Sequence, residues 1–228
     1  MKQAAMKIIA HIRSDFPTKF GIPRQSGLVE DLTAQIVFTP EYRVPEAVRG
    51  LEDFSHIWLI WQFSKAVRED WSPTVRPPRL GGNTRMGVFA TRSPFRPNAI
   101  GLSCVKLLSV ETSTPEGPVL TVAGADLMDG TPIFDIKPYI PYADCQPDAT
   151  GGFTDTAKDF LLDVEFPPEL LSKIPQDRKA ALLGVLSHDP RPSYQHSPQR
   201  VYGMAFGDFD VRFRVEGSTL HVVDVQPR

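Results

Sequence analysis

The stretch Thr91 to Gly101 reads TRSPFRPNAIG and carries Arg92 and Arg96 four residues apart. A guanidinium is a planar fork that meets a carboxylate or phosphate in two parallel hydrogen bonds. Pro94 and Pro97 flank Arg96 and stiffen the backbone, so both charges are held rather than loosely tethered. Arg85 lies just upstream, and no acid stands between it and Arg96. The stretch is either a solvated connection between strands or a grip for an anion, and the missing counter-charge favours the grip.

Four further clusters carry polar chemistry among apolar residues. GIPRQSG (Gly21 to Gly27) presents Arg24 and Gln25 after a proline, as a surface turn or a rigid binding loop. FSHIW (Phe54 to Trp58) puts Ser55 and His56 at the mouth of the most apolar run. His56 there is a structural residue, or part of an adenine-sized pocket with Trp58 and Trp61. DLMDGTPIFDIKPYIPYAD turns at Asp129-Gly130, where Asp129 and the backbone face either solvent or a polar ligand. SHDPRPSYQHSPQRVYG mixes Arg191, Arg200, His188 and His196 with Tyr194 and Tyr202. It is a proline-rich connection, or a surface for the phosphates and unstacked bases of RNA loops. Signatures of a nucleophile elbow, a phosphate-binding loop, a zinc protease and a dinucleotide-binding turn are absent, and no cysteine–histidine spacing suggests a metal.

The elements that must position these groups are mostly strands. MKIIAHIR, AQIVFT, HIWLIWQF, MGVFAT, IGLSCVKLLSVE and VLTVAGAD have strand length and composition. HIWLIWQF is nearly unbroken in its apolarity and is expected to be buried on both faces. Closely spaced strands without intervening helices indicate an antiparallel barrel or sandwich. Beyond a loop at 146–155 the character changes. PPELLSKIP and QDRKAALLGVLSHD show helical spacing, and Val211, Phe213 and Val215 alternate with arginines before a terminal hairpin. The expected organisation is a mainly β barrel-like domain over 1–148 and a small α+β domain over 149–228.

Composition narrows the class. With 228 residues, 41% hydrophobic and 23% charged, the chain reads as a globular protein. No run approaches the ~20 apolar residues of a membrane helix. The opening MKQAAMKIIAHIRSDF has too short an apolar core for a signal peptide, so a cytoplasmic location and reduced Cys104 and Cys145 are expected. A net charge of −2 gives no global pull toward nucleic acid, so any such site is a local patch.

Taken in order, these clusters resemble the TrmO family, also called TsaA-like or YaeB-like. RLGGNTRMGVFATRSPFRPNAIGLS and DLMDGTPIFDIKPYIPY are its most characteristic segments. PRQSGL, RGLEDFSHIW and DPRPSYQHSPQRVYGMAFGDFDVRF extend the likeness over nearly the whole chain. Where relatives often read RPNPIG, this chain has Ala99, which leaves both arginines in place. The resemblance implies a barrel methyltransferase with a small C-terminal domain, working as a homodimer with its cofactor near the subunit interface. It implies transfer of a methyl group from S-adenosylmethionine to N6 of threonylcarbamoyladenosine beside the anticodon of tRNA. The implied cofactor contacts are Pro23, Arg24, Gln25, His56, Ile57, Arg92, Leu102, Asp129, Gly130, Thr131 and Pro132. His56 or Asp129 would take the N6 proton. Arg92 and Arg96 would meet the cofactor and threonyl carboxylates, in an order the sequence leaves open. Asn98, Asp189, Arg191, Tyr194 and Arg200 are the other residues expected at the tRNA. A barrel that binds an adenosine-type ligand without catalysis, or methylates another substrate, is the alternative.

Overall fold

The computed structural model describes residues 5–77, 80, 83–155, 161–192, 197 and 199–228. The chain first lays down β1 (Ala10–Arg13), β2 (Thr33–Phe38) and β3 (His56–Gln62). A short ribbon follows, β4 (Thr74–Val75) and β5 (Met86–Gly87), and then β6 (Ile100–Thr114), β7 (Gly117–Ala123) and β8 (Pro132–Pro138). Six of these strands close into an antiparallel barrel in the order β1, β2, β7, β6, β3, β8. Closure leaves no sheet edge. Its interior holds Ile12, Ile36, Ile57, Leu59, Val105, Leu120, Val122 and Ile133. Each large aliphatic side chain so buried contributes about 1.5–3 kcal/mol.

The sequence reading needs correction at two strands. HIWLIWQF is not buried on both faces. Ile57, Leu59 and Trp61 point inward, whereas His56, Trp58, Ile60 and Gln62 form a half-buried outer face. Aromatic and β-branched residues on that outer face mask the period of two. MGVFAT is a strand only at Met86–Gly87, after which Val88–Ala90 tighten into a 3-10 turn.

After the short helix α1 (Pro141–Asp144), a second sheet forms from β9 (Asp163–Glu165), β10 (Tyr202–Phe206), β11 (Phe209–Glu216) and β12 (Thr219–Pro227). Its order is β10, β11, β12, β9, with β9 parallel to β12. The helices α2 (Pro168–Leu171) and α3 (Gln176–Ser187) precede β10. In α3 the residues Ala181, Leu182, Val185 and Leu186 share the buried face, as their spacing predicts. In β11 the residues Val211, Phe213 and Val215 are buried and the alternating arginines are exposed.

One segment crosses between the two cores. Residues 14–32 leave the barrel after β1, and Phe16, Val29 and Leu32 lie in the core of the second sheet, not of the barrel. Phe16 meets Phe206 edge-on at 5.7 Å, and Phe20 stacks near Tyr202 and Phe213. Helix α3 admits Val29 because position 184 is glycine; a Cβ there would come within 2.7 Å of Val29 Cγ1. The Gly207 N–H donates to the Asp15 carbonyl at 2.7 Å, and Arg178 reaches Asp15 at 3.4 Å. The segment is therefore clamped at several points along its length.

Because Phe16 is fully buried in that shared core, Phe16→Ala is expected to lower stability by about 3–5 kcal/mol in urea denaturation. A loss under about 1 kcal/mol would mean that the crossing segment is not part of the core.

Candidate functional site

The clamped segment then turns through Ile22, Pro23, Arg24 and Gln25, and these residues form one wall of a cleft of about 770 Å³. That size suits a drug-sized or cofactor-sized ligand. The end of β3 and the turn after it supply a second wall, from Gln62 to Ala66. The arginine stretch supplies the third, with Thr91, Arg92, Pro94, Arg96, Pro97 and Asn98. Ile100, Gly101, Leu102, Asp126, Met128 and Thr131 complete the lining.

The arginine stretch is wired to itself and to the opposite wall. The Thr91 hydroxyl donates to the Val88 carbonyl at 2.9 Å, and Arg96 donates to the Thr91 carbonyl at 3.1 Å. The Phe95 N–H donates to the Ser93 hydroxyl at 3.2 Å. Arg92 Nη1 donates to Gln25 Oε1, which ties this wall to the PRQ turn. The stretch is a fixed cationic wall, and its arginines face a cavity.

Asp126 is the residue of the cleft that the sequence reading did not single out. Trp61 Nε1 donates to Ser103 Oγ at 3.0 Å, and Ser103 Oγ donates to Asp126 Oδ1 at 2.5 Å. The Trp61 ring packs directly over Gly101, where any Cβ would collide with it, and so reaches Ser103. Burial pushes the Asp126 carboxyl up from its ordinary value. The Ser103 hydroxyl, backbone N–H groups and the Arg92 charge partly offset that rise. Asp126 opens the same stretch in which the sequence draws attention to Asp129. Only the fold tells the two acids apart.

Pro23, Arg24, Gln25, Arg92, Leu102, Thr131, Arg96 and Asn98 thus line one cavity. The other expected residues among those described do not. Asp129 is exposed and accepts from the Ser14 N–H at 3.1 Å, beside the cleft residue Met128. Gly130 donates to the Ile12 carbonyl, and Pro132 is buried opposite His11 in β8. Ile57 is buried inside the barrel. His56 stands at the far end of β3 from Gln62, roughly 20 Å away at the usual strand rise. There its Nδ1 lies 2.9 Å from Ser55 Oγ, and its ring lies 6.2 Å from that of Tyr139.

The expected tRNA residues of the second sheet are also rearranged. Arg191 is locked to Asp189 in a two-point pair at 2.8 and 2.9 Å, with its side chain only 10% exposed. Asp189 itself adopts a left-handed φ of 49°. The pair holds a turn, and the guanidinium fork is already engaged. Arg200 is exposed and lies 5.3 Å from the Tyr202 ring. Tyr194 lies outside the described residues. No group of three or more metal-ligating side chains occurs among the described residues.

Comparison with known proteins gives the family. The model described as tRNA-methyltransferase O N-terminal domain matches residues 11–145, and that of the TrmO C-terminal domain matches 159–228. A tRNA (adenine(37)-N6)-methyltransferase of Escherichia coli is 42% identical over 96% of this chain and 97% of its own length. A putative S-adenosylmethionine-dependent methyltransferase of Pseudomonas aeruginosa is 40% identical over 95% of both. A crystal structure of TrmO from P. aeruginosa superposes with a TM-score of 0.80 at 35% identity, covering 100% of this chain and 99% of that one.

The raised Asp126 carboxyl gives a signed prediction. A carboxyl whose value rises on folding costs stability when ionised, and the cost grows as pH climbs from its unfolded value through its folded value. Asp126→Asn should therefore unfold at a higher temperature than the parent near pH 7, with the advantage fading toward about pH 4. A variant less stable at neutral pH would contradict the assignment.

Proposed function

This chain belongs to the tRNA-methyltransferase O family, and we propose that it methylates N6 of adenosine 37 in tRNA with S-adenosylmethionine as donor. We further propose that the adenosine carries a threonylcarbamoyl group. The observation that carries this reading is the cleft's charge pattern: an anchored Arg92 and Arg96 with a half-buried Asp126 among apolar walls. The cofactor carries a carboxylate, an ammonium and a sulfonium on one small skeleton. The residues present suit it in charge, size and apolar surface.

The cofactor supplies an electrophilic methyl group on a sulfonium. Everything else falls to the chain. Arg92, steadied by Gln25, takes the methionine carboxylate, and Asp126 faces the ammonium. Ile22, Phe63, Ile100 and Leu102 give the adenosine an apolar wall and exclude water. Arg96 would meet the threonyl carboxylate and so hold the acceptor nucleotide at the cleft. Asp129, exposed beside the cleft residue Met128, would have to turn from the Ser14 N–H into the cleft to accept the N6 proton. No covalent nucleophile is required.

The separation of His56 from the cleft supports a homodimer. The outer face of β3 and β6 runs from Leu102, in the cleft, past Ile60, Trp58 and Cys104 to His56 and Lys106. Leu102 is 54% exposed and Tyr142, near this face on α1, is 90% exposed. A second copy seated here would bring one protomer's His56 surface near the other's cleft. Residues 1–148 would then form the methyl-transfer domain, and 149–228 would contact tRNA, with Arg200 among the contacts. No helix among the described residues is long and apolar enough to cross a membrane, and the cytoplasm is the proposed location.

Methyl transfer is tested with labelled cofactor on tRNA from cells able and unable to make threonylcarbamoyladenosine. Transfer only to the first is expected; equal transfer to both contradicts the substrate assignment, and none to either contradicts the activity. Arg92→Ala is expected to weaken cofactor binding about tenfold or more in calorimetry while the circular dichroism stays unchanged. Undiminished affinity would remove Arg92 from that role. Sedimentation at micromolar concentration should give a dimer, and a monomer there would refute the homodimer.

A further inference from the structure

Beside the cleft lies an aromatic and cationic surface that the methyl-transfer chemistry leaves unused. Trp71 is 52% exposed and Phe89 is 72% exposed, yet their rings stack at 6.1 Å with 30° between their planes. The ribbon of β4 and β5 holds them together. Thr74 pairs with Gly87 and Val75 with Met86, so the residue positions just before β4 and just after β5 meet at one end. The Val88 N–H donates to the Pro73 carbonyl at 2.9 Å and closes that end. Nearby, the Arg68 guanidinium lies 3.9 Å from the centre of the Phe95 ring, which is 40% exposed. Large apolar rings left in water on a fixed ribbon mark an interaction surface.

Charge identifies the occupant. From Lys65 to Arg96 the described residues include six lysines and arginines against two acids, although the whole chain has a net charge of −2. A cationic surface with exposed ring planes fits polyanionic single strands, whose phosphates pair with cations and whose bases stack on rings and guanidinium planes. A second protein copy with the same positive surface would be repelled. The location adds to this. Phe89 lines the cleft on the same side as Arg92 and Arg96.

We propose that Trp71 and Phe89, flanked by Arg68, are the platform on which unstacked nucleotides next to the methylated adenosine stack. This rests on the tRNA reading above and adds to it a binding surface on the barrel side, apart from the second sheet. The platform holds the neighbouring bases out of the way and leaves the target nucleotide over the cleft.

The test uses the full-length chain and a synthetic anticodon stem-loop RNA, with affinity read by fluorescence anisotropy over a salt series. Trp71→Ala should weaken binding about tenfold or more, and Trp71→Phe should restore most of it. Arg68→Ala should reduce the slope of log affinity against log salt by about one. Affinity for S-adenosylhomocysteine and the sedimentation coefficient should stay at parent values in all three. Parent-like RNA affinity in Trp71→Ala overturns the platform while leaving the methyltransferase reading intact. A changed sedimentation coefficient in Trp71→Ala overturns it too, because the rings would then pack against a second copy. A parent protein that binds no RNA overturns both readings.

Discussion

The packing of residues 14–32 against the second sheet is the constraint on which the site depends. Phe16, Val29 and Leu32 anchor this segment in a core to which the barrel strands contribute little. Its intervening residues, Ile22 to Gln25, are thereby fixed over the barrel mouth. Without that anchor the PRQ turn would be a long surface excursion between β1 and β2, and Gln25 would have no fixed place from which to accept from Arg92. The small second unit thus does structural work for the cleft whatever else it contacts.

Given a fixed wall on each side, the cleft's chemistry follows from how its charges are restrained. Arg92 and Arg96 stay near water but are tied by hydrogen bonds to Gln25 and to the Thr91 carbonyl. Asp126 is drawn inward and is held by a chain that starts at a buried indole. Its burial has an energetic cost, and a raised carboxyl is the sign of that cost. A fold that retains an ionisable group under strain at the edge of a cavity commonly does so for a ligand. The same division recurs on the outside of the cleft. Exposed rings and the Arg68 cation lie outside it, and the half-buried carboxylate lies within.

The helix α3 and the strand β11 were legible in the sequence because local period and burial agree there. Ala181, Leu182, Val185 and Leu186, or Val211, Phe213 and Val215, each mark one face without help from distant residues. The stiff cationic stretch at Arg92 and Arg96 was also legible, from two prolines and missing acids. Other features depend on contacts that no local pattern carries. Asp126 looks like any acid in an alternating stretch until Ser103, a strand away, donates to it. His56 and Trp61 look like neighbours in sequence, yet β3 is extended and sets His56 far from the cleft. Arg191 looks like a phosphate partner until a left-handed Asp189 turns its carboxylate back onto the guanidinium. The crossing segment has ordinary loop composition; what gives it a core position is Gly184, on a helix far along the chain, which the segment reaches only by folding.

Hydrogen exchange with and without S-adenosylhomocysteine tests most directly whether the clamped turn and the arginine wall form a single ligand site. Ligand should slow exchange together at residues 22–27 and 91–102, with the core strands β11 and β12 unchanged. Saturating ligand that protects neither segment, or protects only residues around His56, would contradict a cofactor site in this cleft.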